Sequence, residues 1–208
     1  MSLEIIFVIA ILIMSVIIHE ICHGYAALYL GDHTAKNEGR LTLNPISHLD
    51  PMGSFFIPLV SYYLGGFVLG WAKPVPYNPY NLKNQRWGEA IVAGAGPAVN
   101  ILIAVVFGLI IRFSSLLHIT NSSFLEIIGY AVVVNLTLAI FNLSPIPPFD
   151  GSKLLFSLLP YRFQYIREFM ERNWLLMMLV FVLFLWGFIQ PIVLPIFQFI
   201  TGLSVGAV

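Results

Sequence analysis

Apolar residues run along this chain in long uncharged blocks separated by short polar stretches. Residues 5–18 are apolar apart from Ser15, and apolar character resumes after His19-Glu20-Ile21-Cys22-His23 as far as Leu30. Further uncharged blocks cover residues 51–72, 90–111, 127–149 and 173–208. About 20 residues of helix cross a bilayer, and a charge left in lipid costs several kcal/mol, so all five blocks are long enough to reach across. The first could be read as a signal peptide, but its front (Met1-Ser2-Leu3-Glu4) has no Lys or Arg, and a polar cluster interrupts its end. We therefore expect a retained helix over about residues 3–30, closed by Gly31.

Block 51–72 is unlike the others. It contains Pro51, Pro58 and Gly65-Gly66, and it leads into Gly70-Trp71-Ala72-Lys73-Pro74-Val75-Pro76, which reads as extended chain. If it dips into the membrane and returns, Lys36, Arg40, Lys73, Lys83, Arg86, Lys153, Arg162, Arg167 and Arg172 share one face, and Arg112 alone lies opposite. If it crosses completely, Lys36, Arg40 and Arg112 face the other seven. The positive-inside rule favours the re-entrant path and places the crowded face in the cytoplasm. In the last block, Pro191, Pro195 and Gly202 are expected to break the chain into a crossing helix near 174–190 and a second piece.

Composition narrows the class. Of 208 residues, 59% are apolar and 10% charged, against roughly 25% charged in soluble domains. Ten basic residues balance ten acidic ones, which gives nucleic acid no basic patch to bind. A single cysteine, Cys22, rules out an intrachain disulfide.

The chemistry sits at the polar interruption. His19-Glu20-Ile21-Cys22-His23 fits HExxH on a helix, with the two imidazoles one turn apart on one face, able to share one Zn²⁺. Glu20 flanks them as a candidate general base rather than a ligand. Cys22 points off that face and is expected to pack, and His33, His48 and His118 are expected to be solvated loop residues. A zinc enzyme needs a third protein ligand. Asp150 is the candidate, in Asn142-Leu143-Ser144-Pro145-Ile146-Pro147-Pro148-Phe149-Asp150-Gly151, where three prolines must break the helix. The same Asp-Gly pair also suits a plain surface turn. With block 51–72 re-entrant, the first and fourth crossings run toward the same face, and His19, His23 and Asp150 can converge. Asn100 and Asn142, polar groups at lipid depth, need partners: a substrate carbonyl, the Asp150 loop or each other. Lys153 reads as a surface anchor.

These motifs resemble the site-2 protease family of intramembrane zinc metalloproteases. Besides HExxH, Asn142…Pro145…Asp150-Gly151 is similar to its second signature, and Gly96-Pro97-Ala98-Val99-Asn100 to the motif of its middle core helix. Gly39-Arg40-Leu41-Thr42-Leu43-Asn44-Pro45 and Gly70-Trp71-Ala72-Lys73-Pro74-Val75-Pro76 look like the compact branch without a PDZ module. The resemblance implies one Zn²⁺ held by His19, His23 and Asp150, with Glu20 as general base. It also implies a substrate-clamping re-entrant segment near residues 66–76, so that Trp71 and Ala72 join Asn100 and Asn142 as candidate substrate contacts. The implied substrate is a transmembrane protein cleaved within the lipid bilayer.

The expected fold is an all-α polytopic membrane protein of about four to six membrane segments, one re-entrant, with a helix broken at the active site. We expect a single unit over residues 1–208 (core 3–160, C-terminal helices 174–205), in a bacterial or archaeal cell membrane, with the site nearer the cytoplasmic face. The alternative is a membrane transporter or metal carrier using the same His, Glu and Asp residues as an ion pathway.

Overall fold

The computed structural model describes residues 3–56, 59–60, 63, 72–181, 187 and 189–203. Its described regular structure is helical. Helix α1 (Leu3–Tyr29) fills the first apolar block, and Gly31 ends it at φ +103°, a left-handed turn that suits glycine. Just beyond, the Asp32 carboxylate is wholly buried and accepts hydrogen bonds from Thr34 N and Oγ1, Asn78 N and Asn81 Nδ2. A short helix α2 (Thr34–Asn37), a 3-10 turn (Pro45–His48) and a wide helical turn (Pro51–Phe56) follow.

Helices α3 (Gly88–Arg112) and α4 (Ser122–Asn142) complete a trio with α1, each long and apolar enough to cross a membrane. Asn121 caps α4 by accepting from Phe124 N at 3.1 Å. Further shorter helices among the described residues are α5 (Asp150–Leu158), α6 (Gln164–Arg172), α7 (Trp174–Val180) and α8 (Ile189–Thr201). The main apolar core lies where α3, α4 and α8 meet, around Ala104, Val132, Leu136, Val193 and Phe197.

The connection between α1 and α3 returns to where it started, because Lys83 N donates to Leu30 O at 2.8 Å. The end of α1 and the approach to α3 therefore share one face, and α1 and α3 run antiparallel. Most of the block expected to re-enter, residues 57–58, 61–62 and 64–71, lies outside the described residues, and Trp71 with it.

Two expectations need correction. Pro195 lies inside α8 rather than breaking it; its missing hydrogen bond falls on the first turn at Pro191, and Gly202 (φ +75°) ends the helix instead. His48 is not solvated: it is 2% exposed, with Nε2 donating to Thr42 O at 2.8 Å. His33 and His118 are exposed, as read.

Candidate metal centre

The three predicted ligands meet. His19 and His23 lie one turn apart on α1, and Asp150 opens α5 beside them. The two Nε2 atoms are 3.0 Å apart, and Asp150 Oδ2 is 3.1 Å from the first and 3.2 Å from the second. At zinc–ligand distances of about 2.0–2.1 Å, neighbouring ligands of a tetrahedral site are roughly 3.3 Å apart. The triangle thus has nearly the size a zinc ion requires.

The remaining hydrogen bonds set the protonation. His23 Nδ1 lies 2.7 Å from Val92 O, which only accepts, so the ring proton is on Nδ1. Asn100 Oδ1 faces His19 Nδ1 at 3.2 Å and places that proton in the same way. Both Nε2 lone pairs then point at each other and at a carboxylate oxygen. Three converging lone pairs repel unless a cation lies among them, so the donor set fits a metal ion.

Neighbouring elements hold this geometry. Gly96 of α3 faces the triangle, and a Cβ there would come within 2.5 Å of both Nε2 atoms. Pro97 cannot donate to Ala93, which loosens α3 at the turn whose Val92 carbonyl serves His23. Helix α4 stops at Asn142, well short of the end of its apolar block, because the prolines that follow cannot continue it. Phe149 then anchors the break: it is buried, with ring centroids 4.3 Å from Phe141 and 4.9 Å from Phe181. Gly151 packs so closely on the Leu143 and Ser144 carbonyls that a side chain would collide with them. Asp150 is pinned on both sides.

Glu20 is outside the triangle. Its Oε2 accepts from Val75 N at 2.9 Å, a contact with the extended segment that sequence reasoning did not foresee. Arg40, 7% exposed, supports that segment by donating from Nη2 to Lys73 O at 3.0 Å and Pro74 O at 3.2 Å. Lys73 N donates to His48 O at 2.8 Å. Val75 itself packs where a Cβ on Gly24 would stand, so the glycine lets the segment approach α1. Arg40, within the motif Gly39–Pro45, was the available signal, since a basic residue among apolar neighbours needs partners.

Of the other predicted residues, Asn100 joins the centre and Asn142 and Ala72 lie apart from the three donors. Asn100, wholly buried, serves His19 through Oδ1 and keeps an unpartnered Nδ2. Asn142 turns back on its own helix, with Nδ2 donating to Leu138 O at 3.0 Å. Ala72 is half-buried at the start of the described extended segment. Lys153 lies with Nζ 5.2 Å from the centre of the Tyr77 ring. Burial would lower its pKa, but Tyr77, Asp150 and Glu89 together raise it above the usual lysine value, so it stays charged.

Three converging donors that could hold a metal ion, set among helices apolar enough to cross a membrane, fit a membrane zinc metallopeptidase. The chain belongs to peptidase family M50, whose model matches residues 7–121 and 112–185, and the resemblance to site-2 proteases is borne out. It is 38% identical over 154 residues to "Putative zinc metalloprotease YwhC" of Bacillus subtilis, covering 72% of this chain and 67% of that protein. To "Putative zinc metalloprotease Rip2" of Mycolicibacterium smegmatis it is 37% identical over 147 residues, 70% of this chain and 54% of the other, so the chain spans about half of that relative. "Putative zinc metalloprotease MJ0611" of Methanocaldococcus jannaschii matches at 45% over 65 residues, 31% of each chain. No solved structure matches significantly.

Proposed function

We propose that the chain is an intramembrane zinc metalloendopeptidase that cleaves transmembrane segments of other membrane proteins, as in regulated intramembrane proteolysis. The carrying observation is the triangle of His19 Nε2, His23 Nε2 and Asp150 Oδ2, with edges of 3.0–3.2 Å, with Glu20 next to His19 in the chain and outside the ligand group. In this reading those three residues hold one Zn²⁺, which supplies Lewis acidity that acidifies water and polarises a peptide carbonyl. Glu20 takes the proton from the attacking water and passes it to the leaving amine. Val75 N–H aims the Glu20 carboxylate, and Asn100 Oδ1 fixes the tautomer of His19.

A transmembrane helix hides its carbonyls in its own hydrogen bonds, so it must unwind before it can be cut. We assign that task to the extended segment 72–76, held from behind by Arg40, with Ala72 and, from the sequence, Trp71 among the substrate contacts and a substrate strand added alongside. Asn100 Nδ2 is free to donate to a substrate carbonyl; Asn142, bonded to Leu138 O, would have to turn to do so. Block 51–72 re-enters the membrane, consistent with the Lys83–Leu30 bond. The site faces the cytoplasm of a bacterial or archaeal cell, in line with the charge bias and with the sources of the relatives. Residues 1–208 act as one protease unit, because α8 of the C-terminal part packs into the same core as α3 and α4.

The test is Glu20→Gln in detergent, with a single-span peptide as substrate. Cleavage should fall by about 10²–10⁴-fold while bound zinc is unchanged. Full activity with zinc still bound would remove Glu20 from the role of base.

A further inference from the structure

Between α1, α3 and α4 runs a groove of about 480 Å³ that no step above uses. Its walls are apolar, with Met14 and Ile18 on α1, Ile103 on α3 and Ile127 on α4 among them. Two polar side chains nevertheless line it, Ser15 and Asn135, exposed by 4% and 1%. Asn135 Nδ2 donates to Ser15 Oγ and to Ala131 O, both at 2.9 Å, which ties α4 to α1. That tie uses only the donor half of the amide. Asn135 Oδ1 is buried without a partner, and lipid has no donor to offer it.

The groove lies one helical turn from the metal centre along two helices. Ser15 precedes His19 by four residues on α1, and Ile103 follows Asn100 by three on α3, so each lies one turn from a residue of the site. One turn is about 6 Å, in the direction away from the Gly31 end of α1.

We propose that this groove docks the part of the substrate's transmembrane helix beyond the scissile bond, and that Asn135 Oδ1 accepts from a hydroxyl or amide side chain carried there. This rests on the protease reading and adds a substrate feature to it. A Ser, Thr, Asn or Gln should stand about two residues from the cut bond if the chain between is extended, or about four if it is helical. A lipid acyl chain would fill the walls but leave Oδ1 unsatisfied. A polar-bearing helix does both.

The probe is a synthetic single-span Leu/Ala peptide with one Ser, reconstituted with the full zinc-loaded chain in phosphatidylcholine vesicles, beside the same peptide with Ala in its place. In the Glu20→Gln protein, a photo-crosslinking residue at Met14 should capture the peptide, and one at Leu102, which is exposed outside the groove, should not. In the unsubstituted protein, Ser should lower KM about threefold, and at most roughly twentyfold, at equal kcat. Asn135→Leu should abolish that difference. Because Asn135→Leu also cuts the tie to Ser15, Ile127→Trp serves as a second variant: it fills the groove, spares the tie, and should raise KM for both peptides at unchanged zinc content. Capture of phospholipid alone at Met14, or equal KM for the two peptides in the unsubstituted protein, would overturn the groove assignment even with cleavage intact. Capture without cleavage by any zinc-loaded protein would instead sink the protease reading and leave the groove standing.

Discussion

Gly96→Ala isolates the metal centre from the rest of the fold. The added methyl carbon would lie 2.5 Å from Nε2 of both histidines and 2.6 Å from His19 Cε1, whereas ordinary contact begins near 3.4 Å. The imidazoles must therefore retreat by ~0.9 Å, judged against ordinary packing distances. They cannot do so freely, because Val92 O and Asn100 Oδ1 hold their Nδ1 sides. Elsewhere in a helix the same change would stabilise by up to about 1 kcal/mol, while crowding a packed interior costs about 1–3 kcal/mol, so the net effect on folding, a loss of about 0–2 kcal/mol, is modest. The effect on the site is not: disturbing the partners of metal ligands costs about 10–100-fold in metal affinity, and ~1 Å of misplacement costs about 100-fold in rate. Bound zinc per purified chain, peptide cleavage and thermal unfolding by circular dichroism, measured on one preparation, check this. The expected result is substoichiometric zinc and activity down at least about 100-fold, with near-normal unfolding. A variant that keeps one zinc and activity within about twofold would refute the claim that α3 shapes the ligand space.

Other outcomes follow from the same contacts. Asn100→Leu removes the acceptor that orients His19, and zinc affinity by competition with a chelator should fall about 10–100-fold. Arg40→Met frees the backbone of Lys73 and Pro74; the clamp should loosen, raising KM for a single-span peptide with little change in bound zinc. Burial pushes the Asp32 carboxyl up, but the donors from Thr34, Asn81 and Asn78 outweigh it and hold the folded value below the unfolded one of about 3.9. Its contribution is therefore complete above about pH 4 and vanishes as pH falls through the lowered folded value. Asp32→Asn should cost about 1–3 kcal/mol at pH 7 in thermal unfolding, with the gap to the unsubstituted protein closing toward pH 3; a gap independent of pH would contradict the assignment.

Much of this was legible in the chain because the signals are local. HExxH periodicity, charge-free blocks and a proline cluster each act within one element, and they located α1, α3, α4, the break before Asp150 and the three donors that meet there. What could not be read depends on register between elements. Gly96 was legible as part of a motif, and only the facing of α3 against α1 shows that the space it leaves is the ligand space. Asn100 looked like a substrate contact, and only the facing of the helices shows that its oxygen also serves His19 while its Nδ2 keeps no partner. The Val75–Glu20 bond joins residues 55 positions apart through a backbone group that carries no sequence signature. His48 looked solvated because loops usually are, yet it is buried where the chain folds under the extended segment. Pro195 looked like a break because proline usually is one, but the single bond it removes, to the Pro191 carbonyl, falls in the first turn of α8, and the helix runs on to Thr201.

X-ray absorption at the zinc edge tests the central claim most directly. One zinc per chain is expected, with two nitrogens and one carboxylate oxygen among its neighbours at about 2.0–2.2 Å, and with occupancy lost in Asp150→Ala. A sulfur neighbour near 2.3 Å, which only Cys22 or a methionine could supply, or full zinc retained in Asp150→Ala, would contradict it.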